Sequence, residues 1–367
     1  MDKKDESMST FMLTELDFKY KIPIILEAMK ITHNQLKLIG SAWWAPLWMK
    51  TVSSMNRGTL KREYWSQWAE YHVKFLDQYS RNDIKFWAIS TGNRPTNSHY
   101  FTYQPNINTM EWTPYEQSEW VSSYLNPMLK NSSHSRVLLL GFDDNRGFVT
   151  FYLKYFFEDY QLNSFDDSTY EYLHKSRVKD AISGIAFHGY MDHERNLPYL
   201  QQTKDMFHDK FLIYTETGCV GATKLGAWTC GETFAIKIIQ ALNNWVTGWM
   251  DWNIALDPKG GPKLANNLFH SPIIIDTKRD EFYKDPAFYV MAHFSIFLLP
   301  NSYRIELKAP RGIEGIYAVA GYRPDDGKVI VFYNQYEAER QLIFLIDENY
   351  KVSLTVPGQS INSVLFW

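Results

Sequence analysis

The sequence predicts an α/β protein: a TIM-type (β/α)8 barrel of which six strands are recognised, followed by a small all-β sandwich module. Three observations predict it. Short apolar, β-rich runs recur six times with helix-like stretches between them, and strand followed by helix calls for parallel strands joined by crossovers. The runs end in polar or aromatic residues, where barrels build their sites, and no glycine-rich phosphate loop follows any of them, which disfavours a doubly wound sheet. After about Ser302 the pattern changes to alternating residues punctuated by turn signals.

The six runs are Leu36 to Trp43, Ile84 to Ser90, Arg136 to Phe142, Ile182 to His188, Phe211 to Thr215 and Val246 to Trp252. Between the first two, Arg62 to Ser80 places Trp65, Trp68, His72, Phe75, Leu76 and Tyr79 at three- and four-residue spacing, an amphipathic helix. A second helix starts at Thr113, with Pro114 at the first helical position and Glu116 three residues past the threonine, the pattern of a capping box. Val149 to Glu158, Pro198 to Phe207 and Gly231 to Trp245 read as further helices. Gly315 to Tyr322 and Lys328 to Asn334 flank a Pro-Asp-Asp-Gly turn and predict a hairpin. Leu342 to Ile346 and Ser363 to Trp367 read as two more strands. The expected domains are a lead-in over 1–30, the barrel over 31–301 and the β-module over 302–367.

Composition narrows the function. The 38 basic and 41 acidic side chains nearly cancel, and they are scattered rather than striped, so nucleic acid is not an expected partner. The two cysteines, Cys219 and Cys230, cannot build a disulfide framework and read as free thiols. No Cys/His cluster has metal-ligand spacing, so neither a metal nor a cofactor is expected. The opening residues carry no apolar run fit for a signal peptide or a membrane span, and the expectation is that the chain as written stays cytosolic. Asn131-Ser-Ser133 is an N-glycosylation sequon, meaningful only in a secreted chain. The one excess is aromatic, with 13 Trp, 24 Tyr and 23 Phe. Core packing accounts for most of these rings, and stacking on sugar faces is the functional alternative.

Three run ends carry chemistry. Phe211-Leu-Ile-Tyr-Thr-Glu216 sets a carboxylate just past a buried strand, Trp249-Met-Asp-Trp-Asn253 sets one between two indoles, and His188-Gly-Tyr190 closes a third run. A lone Glu at a strand end is more often structural; a carboxylate beside sugar-sized rings is what a glycoside site requires.

At these residues the chain resembles the glucosylceramidases of glycoside hydrolase family 30. The resemblance is carried by Ser41-Ala-Trp-Trp-Ala-Pro-Leu-Trp-Met-Lys-Thr51, Phe86-Trp-Ala-Ile-Ser-Thr-Gly-Asn-Arg-Pro95, Thr215-Glu-Thr-Gly-Cys-Val-Gly221 and Gly248-Trp-Met-Asp-Trp-Asn-Ile-Ala-Leu256. Pro258 to Pro262, Ser271 to Asp276 and Phe282 to Lys284 continue it, over about Lys21 to Trp367. It implies a barrel with a β-sandwich, hydrolysis of glucosylceramide with retention, a lysosomal location, a lipid-presenting activator protein as partner and peripheral contact with a membrane. It also implies that the resemblance enters ahead of the third barrel strand, leaving two of the eight strands without a counterpart and an open barrel.

Retention needs two carboxyl groups about 5 to 5.5 Å apart. By resemblance Glu216 is the nucleophile. The general acid/base of the family is the Glu of an Asn-Glu-Pro motif, which here reads Asn93-Arg94-Pro95. Arginine keeps its proton and cannot act as acid or base. A guanidinium about 5 Å from Glu216 would hold it by about 3 kcal/mol at an effective dielectric constant of about 20. Asp143 or Asp144 as substitute acid would stand on the wrong side of the glycosidic oxygen. The resemblance further places Trp43, Asn93, His188, Tyr190, Trp252 and Asn267 at the glucose pocket or its entrance, with Gly189 where the family has tryptophan. Two functions follow, a retaining β-glucosidase and a non-catalytic glycolipid- or partner-binding relative; a third possibility is a fragment without a stable fold.

Overall fold

The computed structural model describes residues 4–97, 107–158, 178–221, 225–263, 269–308, 313–345 and 351–367. All six predicted strands form, as β1 (Ile39–Gly40), β2 (Ala88–Ser90), β3 (Leu138–Asn145), β4 (Ile182–His188), β5 (Phe211–Glu216) and β6 (Val246–Trp249). They join one sheet in the order β1-β2-β3-β4-β5-β6, with β1 to β4 paired in parallel. That is the sequential order of a barrel wall, with β1 and β6 at its edges. The first run contracts most: of Leu36 to Trp43 only Ile39 and Gly40 pair, with Ala88 and Ile89.

The chain divides into two compact units, residues 1–192 with 202–213, and residues 193–201 with 214–367. In the first, the helix Trp65–Ser80 buries Trp65, Trp68, His72, Leu76 and Tyr79, the face its spacing predicts; its expected first turn is a 3-10 turn, Arg62–Tyr64. Trp120 lies fully buried and stacks on Trp112 with ring centroids 5.2 Å apart. The helix Pro114–Trp120 is capped as expected: the Thr113 hydroxyl accepts the Glu116 N–H, and the Glu116 carboxylate accepts the Thr113 N–H. The helix Val149–Phe156 sets Tyr152, Leu153 and Phe156 into the same core.

In the second unit, β7 (Ala255–Leu256), β8 (Ile273–Asp276) and β9 (Glu281–Lys284) form a small sheet that periodicity did not announce, because its strands are only two to four residues long. β10 (Tyr303–Ile305), β11 (Ile316–Tyr322), β12 (Lys328–Asn334), β13 (Arg340–Leu345), β14 (Lys351–Val356) and β15 (Ser360–Phe366) follow. The predicted hairpin is β11–β12, in register from Tyr322↔Lys328 to Ile316↔Asn334. Period-two alternation sorts its side chains between two faces. Val319, Val329, Val331 and Tyr333 pack on the helices Trp228–Asn243 and Pro286–Phe297, while Ala320, Ile330 and Phe332 pack with Val356, Leu342, Phe344 and Leu354 of the β13–β14 pair. The β-module is therefore a sandwich whose other face is filled by helices.

One expectation is overturned. Cys219 and Cys230 are not free thiols but a disulfide, with Cα atoms 5.6 Å apart. Two cysteines are too few for a framework, yet one bond needs only that the fold bring two Cβ atoms together. The segment after β5 and the first turn of the helix Trp228–Asn243 do so.

Candidate active site

In the first unit, five of the expected residues, Trp43, Asn93, Arg94, His188 and Tyr190, stand at or just past the ends of β1 to β4. Asn93 follows β2; its N–H donates to the Ala42 carbonyl at 3.0 Å, which ties the end of β2 to the segment carrying Trp43. Both polar atoms of the buried Asn93 side chain lack a partner among the described residues. Arg94 takes the left-handed conformation, φ +48°, rare for a side-chain-bearing residue. Its backbone compensates, the N–H donating to the Asp143 carbonyl at 3.0 Å and the carbonyl accepting from Asn97 N–H at 3.1 Å.

The Arg94 side chain is 8% exposed. Its Nε–H donates to His188 Nδ1 at 3.3 Å, and its guanidinium lies over the Tyr190 ring, 4.9 Å from the centroid. Arginine can only donate, so His188 Nδ1 must be the accepting nitrogen. The imidazole is then neutral with its proton on Nε2, which donates to Asp143 Oδ1 at 3.2 Å. Ser41 Oγ donates to Asp143 Oδ2 at 2.8 Å. A cation and an anion thus face each other through a buried imidazole, which makes burial of Arg94 and Asp143 electrostatically tolerable.

A bulge in β3 builds this network. Phe142 pairs with Ala186 and Asp144 with Phe187, so Asp143 is the extra residue, and Phe142 and Asp143 both have positive φ. The kink re-aims Asp143 toward Ser41 and His188. Asp144 turns instead to Thr96, whose N–H and hydroxyl donate to its Oδ2 at 3.0 and 2.7 Å. Both aspartates are thereby committed as acceptors. Ser41 and Thr96 were not picked out as partners by the sequence, since contacts to residues 102 and 48 positions away leave no local pattern. Trp43 and Tyr190 are half-buried, neither sealed in a core nor stranded on the surface.

In the second unit, Glu216 ends β5 and is 8% exposed. The next residue is locked to the segment after β6: Thr217 Oγ1 donates to the Met250 carbonyl at 2.6 Å, and the Thr217 carbonyl accepts Trp252 N–H at 2.8 Å. Trp252 is half-buried. Asp251 accepts Trp252 N–H at 2.9 Å through Oδ1, and its buried Oδ2 has no partner among the described residues. Burial pushes its carboxyl up to about 7, against the opposing effect of that hydrogen bond. Asn267 lies outside the described residues. Among the described residues no group of three or more His, Cys, Asp or Glu side chains is placed to hold a metal ion.

Carboxylates, an asparagine, a histidine and half-buried indole and phenol rings thus stand at the strand ends of a sequential sheet that a β-module follows. The sequence model of the Glycosyl hydrolase family 30 TIM-barrel domain matches residues 2–298, and that of the family's β-sandwich domain matches residues 301–364. The chain belongs to glycosyl hydrolase family 30. It is 35% identical to the lysosomal acid glucosylceramidase of Mus musculus over 99% of its own length and 68% of that protein's. It is 33% identical to putative glucosylceramidase 2 of Caenorhabditis elegans, over 90% of this chain and 62% of the relative. The chain therefore spans about two thirds of the length of these relatives. The crystal structure of SrfJ from Salmonella typhimurium superposes with a TM-score of 0.86 at 24% identity, covering all of this chain and 76% of that one, which shows the fold.

Proposed function

We propose that this chain binds the β-glucosyl group of a glucosylceramide-type glycosphingolipid in a retaining-glycosidase site whose nucleophile, Glu216, is kept and whose general acid/base is lost to Arg94. The carrying observation is the state of Arg94, buried, donating to His188 and stacked on Tyr190. A guanidinium so engaged gives no proton to a leaving alkoxide and takes none from water. Trp43, Asn93, His188, Tyr190, Trp252 and Asn267 form the sugar subsite in this reading. The amide of Asn93, unpartnered among the described residues, supports it, because a buried amide gains most from a ligand that satisfies it. The substrate class and a lysosomal setting come from the relatives' resemblance. So do a lipid-presenting activator partner and peripheral contact with a membrane.

The chemistry then depends on the leaving group. Ceramide leaves as an alkoxide that needs protonation, so natural substrate is bound and turned over negligibly. An aryl glucoside with a good leaving group glycosylates Glu216 without help, after which the intermediate stalls because no base activates water. Azide, which needs no deprotonation, releases it as glucosyl azide. The test mixes the chain with 2,4-dinitrophenyl β-glucoside with and without azide. A burst of dinitrophenolate followed by azide-accelerated turnover, absent in Glu216→Gln, is the expected result. Turnover indifferent to both azide and Glu216→Gln overturns the reading.

A further inference from the structure

The disulfide lies three residues beyond Glu216, and described residues on either side of it make further ties. Cys219 carbonyl accepts His270 N–H at 3.0 Å, and Val220 bridges Phe269. The His270 ring pairs with the Asp285 carboxylate, whose other oxygen accepts Gly226 N–H at 2.8 Å. Gly221 and Gly226 take positive φ, +142° and +73°, which glycine adopts without the steric cost of a Cβ. On the other side Thr217 is fastened to Met250 and Trp252. Glu216 is thus aimed by a backbone whose downstream end is secured covalently at Cys219–Cys230.

We propose that the Cys219–Cys230 disulfide is a positioning device for Glu216, so that the nucleophilic competence of the site belongs to the oxidised chain. The proposal rests on the reading of Glu216 as nucleophile. The bond forms when the two thiols give up two electrons and two protons to a small disulfide such as oxidised glutathione, which leaves as two thiols. Cys219 is half-buried and Cys230 buried, so Cys219 is the sulfur a thiolate reductant reaches first. Opening the ring restores loop freedom beside the reacting carboxylate, where a displacement of about 1 Å costs about a hundredfold in rate. Such a bond persists in an oxidising compartment and is opened by a reducing one.

The test labels Glu216 with 2,4-dinitrophenyl 2-deoxy-2-fluoro-β-glucoside, whose leaving group needs no acid, and follows the adduct by mass spectrometry. Oxidised parent, parent reduced with a phosphine and Cys219→Ser/Cys230→Ser are compared, with hydrogen exchange over residues 214–221 and near-ultraviolet circular dichroism as controls on folding. The expected result is a fall of tenfold or more in the saturating labelling rate on reduction, with little change in half-saturating concentration. Faster exchange in 214–221 in a chain that stays folded, and recovery of the parent with oxidised glutathione, complete the expectation. If the double variant fails to fold, the reduced parent alone decides. Unchanged labelling and exchange in folded, reduced parent overturn the proposal. Absence of any Glu216 adduct in the oxidised parent refutes instead the nucleophile reading, and the exchange measurement still reports whether the disulfide orders the segment.

Discussion

At the scale of single residues, Arg94 in the first unit and Asp251 in the second each carry an ionisable group that burial makes costly. Arg94 is not a surface charge that strayed inward: its backbone is held in a left-handed turn by Asp143 and Asn97, and its side chain fixes the tautomer of His188. Asp251 carries the opposite problem, a carboxyl with one oxygen buried and unpartnered among the described residues. Burial lifts it from 3.8 to about 7. Between those values the unfolded chain has released the proton while the folded chain keeps it, so stability falls as pH rises through that window. Asp251→Asn, which stays neutral, is expected to flatten this slope and to unfold at a higher temperature than the parent above pH 7. Thermal unfolding of both proteins from pH 4 to 8 checks it; parallel curves would contradict it.

Elements were read from the sequence wherever the signal was local. The capping box at Thr113 is one case, and Thr113→Ala is expected to cost about 1 kcal/mol in urea unfolding. The aromatic stripe of the helix Trp65–Ser80 and the β11–β12 hairpin were equally legible, because three-to-four spacing and alternation about a turn are properties of neighbouring residues. Features that depend on distant residues were not. The β3 bulge that re-aims Asp143 arises from pairing with β4 and shows only as two positive φ values. The Cys219–Cys230 bond depends on where a strand end meets a helix, and counting cysteines argued against a framework without testing a single pair. At the candidate site, the strand-end position of Glu216 was readable, but the roles given to it and to the aromatic residues came from resemblance. The network Arg94–His188–Asp143–Ser41 was not readable, since its members come from four different strand ends.

At the scale of the whole molecule, a family 30 barrel sheet and its β-sandwich are both present. The second unit packs two helices against the β-module in one core, Phe234, Ile238, Val290 and Phe294 with Val319, Val329 and Val331. Cys219, three residues past Glu216, packs against the same core. In the proposed reading the acid/base position is held by Arg94, and general acid–base catalysis contributes about 10²- to 10⁴-fold. The most direct test measures glucosylceramide hydrolysis by the parent, Arg94→Glu and Glu216→Gln, with the folded fraction of each fixed by circular dichroism. Negligible hydrolysis by the parent and by Glu216→Gln is expected, with a gain of about a hundredfold or more for Arg94→Glu over the parent. Vigorous hydrolysis by the parent, unaffected by Glu216→Gln, would contradict both the loss of the acid at Arg94 and the assignment of the nucleophile.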